Sequence, residues 1–245
     1  MRETFTHKMQ QSAKVVADTK REHKLDRLQV HRVVRVENPE KFESYQRERT
    51  QIRSRLGSTR AAGHTVAQLE EHAPTWLAAK EGFPAVIESG INEFTLWHGT
   101  TATIDIPNPD GSSERKETWE VLGRHGLDER VGGKTNGGLY GDAIYLTDTS
   151  SKANQYASKH KNDKGWHCML SCRAVMGDPF MTKKTLKGFR RPPNNRATSG
   201  LPFDSVFAEE GVTDNSQGPG SQFHNEYVVF KGAQVYVEYV IWYTC

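Results

Sequence analysis

Apolar and polar side chains alternate with period two along Leu28-Gln29-Val30-His31-Arg32-Val33-Val34-Arg35-Val36, which predicts a strand. The preceding residues, 1–27, lack Gly and Pro and carry only a modest apolar stripe (Phe5, Met9, Val16), the pattern of a helical extension. Asn38-Pro39 then offers a cap and a first helical position. It predicts a helix from Glu40 to about Leu56, with Phe42 and Tyr45 on one face, Arg47, Arg49, Arg53 and Arg55 outside, and Gly57 as its stop. Residues 58–90 are mixed and Ala-rich, with a helical piece at 75–80. Phe94 to Trp97 reads as a short strand running into His98-Gly99-Thr100, and Pro107 to Ser113 as a surface loop. Thr118 to His125 fits a helix closed by Gly126. Beyond the glycine pairs at 132–133 and 137–138 come a strand within 139–147, a short helix from Ser150 to Tyr156 and a strand from Trp166 to Val175. Two long loops follow, at 183–202 and 209–222. The most β-rich stretch is last. Glu226 to Phe230 and Gln234 to Ile241 are built from β-branched and aromatic residues, and Lys231-Gly232-Ala233 between them reads as a short turn joining paired strands. Short strands interleaved with helices and long connections predict an α+β fold with mainly antiparallel pairing, one domain over 28–245.

Composition narrows the class without naming a chemistry. The chain has 245 residues, 35% hydrophobic and 26% charged, enough for one sizeable core and too apolar for a disordered tail. A net charge of +3 is too small to argue for nucleic acid, although residues 1–60 hold 15 Lys/Arg against 8 Asp/Glu. Cys168, Cys172 and Cys245 are too few and too odd for a secreted disulfide framework. There is no apolar leader after Met1 and no run of membrane-spanning length. These features point to an intracellular protein, nuclear or cytoplasmic, away from the membrane.

Three strand-associated side chains are candidates for chemistry: His98 after Trp97, Tyr145 in GDAIYLTD, and Glu226 opening an apolar strand. Singly, each also fits a bland role as a core histidine, a core aromatic or a solvated strand end. Together with their neighbours they resemble the catalytic domain of the poly(ADP-ribose) polymerases, of the diphtheria-toxin-like ADP-ribosyltransferases. The likeness rests on seven ordered blocks: VVRVENPEKFESYQRER (33–49), LWHGT (96–100), HGLDERVGG (125–133), GLYGDAIYLTDTSSKANQYA (138–157), MLSCRAVMGD (169–178), FDSV (203–206) and HNEYVVFKGAQVYVEYVIWY (224–243).

The resemblance implies two packed sheets forming a cleft for NAD+, consumed as co-substrate, with a His-Tyr-Glu triad. His98 is then expected to bond the adenosine-side ribose and Gly99 to hold the nicotinamide carboxamide through its backbone. Tyr145 and Tyr156 would stack on the ring, and Glu226 would be the catalytic glutamate. The cations Lys183, Lys184, Lys187, Arg190, Arg191 and Arg196 fall in the family's donor-site loop. Ala153 stands where the family usually has a serine for the nicotinamide amide, a loss of about 0.5–1.5 kcal/mol that Ser150 or Ser151 is a candidate to replace. Ala143 replaces a glycine.

Lys152 and Glu226 match residues of polymer-forming members, so protein acceptors, the chain itself included, and elongation to poly(ADP-ribose) are implied. Mono-transfer remains open, as does a non-catalytic module that binds NAD+ or ADP-ribose. An RNA 2′-phosphotransferase on a related fold is less consistent with Tyr145 and Glu226. The region before His98 is too short for the helical regulatory domain of DNA-activated members, which implies tankyrase-like behaviour without dependence on DNA breaks. Tankyrase-like relatives hold zinc near the positions of His160, His167, Cys168 and Cys172, but this spacing lacks a C-x-x-C pair and reads as buried structural cysteine, with no metal.

Overall fold

A computed structural model of the chain describes residues 1–12, 27–69, 86–129, 138–157, 161–195, 200–209 and 224–245. The helices are α1 (Arg2–Gln11), α2 (Pro39–Ala61), α3 (Thr118–His125) and α4 (Ser150–Ala157). The strands are β1 (Gln29–Arg35), β2 (Val86–Glu88), β3 (Glu93–Thr100), β4 (Thr103–Pro107), β5 (Ser113–Glu117), β6 (Ile144–Leu146), β7 (His167–Val175), β8 (Pro179–Thr182), β9 (Ser205–Ala208), β10 (Glu226–Val229) and β11 (Val235–Thr244). The expected helical piece at 75–80 lies outside the described residues.

Two sheets make the body, as the α+β pattern predicts. One has five antiparallel strands in the order β1-β11-β7-β3-β2, the other four in the order β6-β10-β9-β8, with β8 and β9 parallel. Cys168, Leu170, Cys172 and Ala174 of β7 and Val237, Val240 and Trp242 of β11 face Phe207, Tyr227 and Val229 of the second sheet. The alternate residues Met169, Ile241 and Tyr243 meet Phe5 and Met9 of α1. Both faces of β7 and β11 are therefore covered, which is why they read as nearly continuous apolar runs. On the third side, Tyr45, Ile52 and Leu56 of α2 pack on Val175 and Tyr236.

Three local expectations are corrected. Residues 226–241 are not a hairpin: β10 and β11 belong to different sheets, joined by a 3₁₀ turn at Gly232–Gln234. That turn passes so close to Leu127 that a Cβ on Gly232 would lie 2.6 Å from its carbonyl oxygen, and Gln234 Nε2 donates to the carbonyls of Val175 (2.9 Å) and Asp204 (3.1 Å). These contacts turn the chain from one sheet into the other. Helix α2 does not stop at Gly57 but runs on to Ala61, the chain leaving at Gly63 with φ +82°. Nor do its arginines simply face water. Arg49 bridges Glu93 (2.7 Å) and Glu88 (2.5 Å), Arg53 pairs with Glu88 (2.6 Å), and Arg55 with Asp204. Glu93, 1% exposed, also accepts from the Tyr45 hydroxyl at 2.7 Å. The surface loop expected at 107–113 is the tip of an exposed hairpin, β4–β5.

Candidate active site

The strands carrying His98, Tyr145 and Glu226 meet where the two sheets come together. Trp97, next to His98, exchanges backbone hydrogen bonds of 2.8 and 3.0 Å with Thr147, just beyond β6. Strand β10 pairs with β6 in the register Val228↔Tyr145 and Tyr227↔Leu146, so Glu226 opens β10 beside the end of β6. Helix α4 starts three residues beyond Thr147 and returns across β3. Its start is held by α1: Ser150 N donates to Ser12 O (3.2 Å) and Ser150 Oγ to Met9 O (2.5 Å).

Gly99 and Ala153 show how tightly α4 is seated. A Cβ on Gly99 would lie 1.9 Å from the Ala153 carbonyl oxygen and 2.7 Å from its carbon. The residue must lack a side chain because helix backbone crosses it there. Ala153 is buried among Phe5, Met9, Trp97 and Met169. Ser150, committed to Met9, is not aimed at the cleft, and Ser151 is likewise buried.

Each side chain has a defined chemical state. His98 Nδ1 lies 2.8 Å from the Tyr145 carbonyl, which can only accept, so the proton sits on Nδ1 and Nε2 is left as the acceptor. Burial lowers the His98 pKa, against the opposing pull of that hydrogen bond, and keeps the ring neutral. The Tyr145 hydroxyl accepts from Tyr140 N (2.9 Å) and donates to Gly141 O (2.8 Å). Burial raises its pKa, the Tyr140 amide opposes, and the Glu226 charge raises it further. With its hydroxyl occupied by backbone, Tyr145 offers a ring face and no acid–base function.

Glu226, 5% exposed, receives the Lys152 ammonium at 2.9 Å on Oε1. Oε2 has no partner among the described residues. Burial works to lower the Lys152 pKa, but the charge of Glu226 and the Tyr156 hydroxyl outweigh it and hold the pKa above its ordinary value. The same ammonium lies 5.5 Å from the Tyr156 ring centroid. His98, Gly99, Tyr145, Lys152, Tyr156 and Glu226 are thus linked where β3, β6, β10 and α4 meet. Together they offer a hydroxyl acceptor, aromatic faces and a carboxylate with an open oxygen, groups that fit a nicotinamide dinucleotide.

The cationic loop after β8 is fastened to the turn that holds Tyr145. Leu186 N donates to Leu139 O (2.7 Å) and Asp142 N to Phe189 O (2.8 Å). Lys183 pairs with Glu209 (3.1 Å) and Arg190 with Asp142 (3.6 Å), while Arg196 lies outside the described residues. A cavity of about 300 Å³, lined by Asn38, Lys41, His125, Glu129, Gly232 and Tyr236 among others, lies beyond the opposite end of β10 and includes none of the triad.

Among the described residues no three His, Cys, Asp or Glu side chains converge as a metal-ligand set. Cys168 and Cys172 both point into the core between the sheets, and burial raises their thiol pKa values. His167 projects from the other face of β7 towards Tyr243, and His160 lies outside the described residues. Nor is any described helix long and apolar enough to cross a membrane.

The sequence reading missed the segment 147–149. Asp148 accepts from Thr149 Oγ1 (2.8 Å) on Oδ1, and from Asn225 Nδ2 (3.2 Å) and the Tyr227 hydroxyl (3.5 Å) on Oδ2. Its only signal was a Thr-Asp-Thr-Ser run before a helix, which looks like an ordinary cap.

The family model described as "Poly(ADP-ribose) polymerase catalytic domain" matches residues 111–245, which contain Tyr145, Lys152, Tyr156 and Glu226; His98 and Gly99 precede the match. The chain is 29% identical over 154 residues to "Protein mono-ADP-ribosyltransferase PARP12" of Mus musculus and to the protein of the same name from Homo sapiens. Each alignment covers 63% of this chain and 17% of the relative.

Proposed function

The chain belongs to the poly(ADP-ribose) polymerase catalytic-domain family, and from that premise we propose that it transfers ADP-ribose from NAD+ to protein acceptors, itself among them, without needing DNA. The observation that supports the reading is the buried Glu226 at the start of β10, tethered by Lys152 through Oε1.

The bond broken joins nicotinamide to the ribose C1′, and nicotinamide departs with the electron pair. Positive charge builds on the sugar as it leaves. A fixed carboxylate beside that ribose stabilises the charge more in the transition state than in the ground state. Tyr145 and Tyr156 hold the leaving ring by stacking, and His98 Nε2 accepts from a ribose hydroxyl, so orientation is supplied before reaction. An acceptor oxygen then attacks C1′, and Glu226 takes its proton.

The product reading is elongation to poly(ADP-ribose), supported by the Lys152–Glu226 pair, which can address the hydroxyl of a ribose already transferred. A second reading, transfer of one ADP-ribose only, is favoured by the names of the PARP12 relatives. Labelled NAD+ tests both, with Glu226→Gln as the comparison. A high-molecular-weight smear that collapses in the variant supports elongation, and one sharp band supports mono-transfer. Nicotinamide release should fall about 10²–10³-fold in Glu226→Gln. Wild-type protein that binds NAD+ and releases no nicotinamide would refute the transferase reading in favour of a binding module.

A further inference from the structure

We propose that Asp148 is a positioning residue for Glu226, a single carboxylate that grips the residues on either side of it and so fixes the direction in which it points. The inference rests on the transferase reading and names how its central residue is held.

Side chains alternate across a strand, so Asn225 and Tyr227 project to the face opposite Glu226. Both reach Oδ2 of Asp148, at 3.2 and 3.5 Å. Thr147 Oγ1 adds a bond to the Asn225 carbonyl at 3.2 Å, on the same short segment. The backbone on both sides of Glu226 is thereby clasped from behind, and the glutamate is left with the cleft face and Lys152. Burial first, and the Asp148 charge second, raise the Tyr227 pKa far above its ordinary value, so its hydroxyl stays a donor.

The location of Asp148 gives the clasp its reach. Segment 147–149 follows β6, which bears Tyr145, and precedes α4, which bears Lys152 and Tyr156. Thr147 also holds the backbone of Trp97, beside His98. Asp148 itself is 2% exposed and its oxygens meet Thr149, Asn225 and Tyr227, so it acts on Glu226 through those neighbours. Burying a carboxylate is costly unless its oxygens are satisfied, and here the donors come from Thr149, Asn225 and Tyr227. A buried charge spent on the neighbours of one glutamate is explained by what that glutamate must do.

The test is Asp148→Asn in the full chain, beside wild type and Glu226→Gln, measuring nicotinamide release, thermal unfolding and a crystal structure of the variant. Asparagine keeps the volume but removes the charge and turns one of the two acceptors into a donor, which must face either Thr149 or the Asn225 amide. The expected result is a kcat lowered at least tenfold with the KM for NAD+ changed less than threefold, since the Asp148 bonds to Asn225 and Tyr227 hold the neighbours of Glu226 and not the side chains of His98, Tyr145 or Tyr156. The Lys152 Nζ–Glu226 Oε1 separation should lengthen from 2.9 Å. The exchange variant Asp148→Asn with Asn225→Asp restores a donor–acceptor match and should recover most of the kcat. If Asp148→Asn does not fold, Tyr227→Phe removes one donor alone and should lower kcat in the same KM-neutral way. Unchanged kcat in a variant, where Glu226→Gln is impaired, overturns the inference and leaves the transferase reading standing. A loss that the exchange fails to recover, accompanied by lower thermal stability, makes Asp148 merely structural and also overturns it. Wild-type protein without nicotinamide release removes the reading itself, and the inference with it.

Discussion

Replacing Gly99 by alanine puts a methyl carbon 1.9 Å from the Ala153 carbonyl oxygen, 2.7 Å from its carbonyl carbon and 3.1 Å from its Cα. All three are backbone atoms, so no side chain can rotate out of the way. To reach even a tight 3.0 Å contact with the oxygen, β3 and α4 must part by about 1 Å at the crossing. Overpacking of this kind costs about 1–3 kcal/mol. At about 2–4 °C per kcal/mol for a chain approaching this size, Tm should fall by roughly 2–12 °C. The effect on catalysis should be larger, because His98 adjoins Gly99 while Lys152 and Tyr156 ride on α4. A misplacement of about 1 Å can cost about 10²-fold in rate. Nicotinamide release and thermal unfolding, measured together, test this. Gly57→Ala is the control: it lies on an exposed helix face with nothing within 4 Å of the added carbon, and should stabilise by about 0.5–1 kcal/mol without touching the rate. Wild-type Tm and rate in Gly99→Ala would refute the account of how α4 is seated.

Two further results are expected. Because the folded-state pKa of His98 is lowered, chiefly by burial, the unfolded chain takes up the proton first on acidification. Its contribution to stability is intact above the ordinary value of 6.5 and is lost as pH falls from there towards the folded pKa. The KM for NAD+ should follow, flat above pH 6.5 and rising only below, when Nε2 is protonated and can no longer accept; a rise centred above 6.5 contradicts the lowering of this pKa by burial. Arg49→Met leaves the fully buried Glu93 without its cation and should cost about 3–5 kcal/mol by urea unfolding, against less than 1 kcal/mol if the pair behaved as an exposed one.

What could be read in advance depended on how local its cause was. Helix α3 announces both its length and its stop, Gly126, within ten residues, and the apolar runs of β7 and β11 mark buried strands. His98, Tyr145, Glu226 and Tyr156 were singled out only because ordered blocks resembled a family. The hairpin β4–β5 was not, because its residues are mostly exposed and charged, with no apolar face to set a period. The pairing of β10 with β11 was misread since turn length cannot reveal that Gln234 and Gly232 are held by residues elsewhere in the chain. Asp148 was missed for the same reason: Asn225 and Tyr227 are more than 70 positions away.

Strand β11 sits between β1 and β7 in the larger sheet, and its pairings Gln29↔Thr244 and Val30↔Tyr243 join residues more than 200 positions apart. Pairings of such sequence separation must close their loops before they return any energy, and they slow folding. During synthesis β1 and β7 emerge long before the strand that links them, each with the edge that β11 will cover unpaired. Such unpaired edges are prone to aggregate until β11 has been made. A chain cut short before Val235 would lack the strand joining β1 to the sheet, and would be a substrate for quality control, not a partly active enzyme.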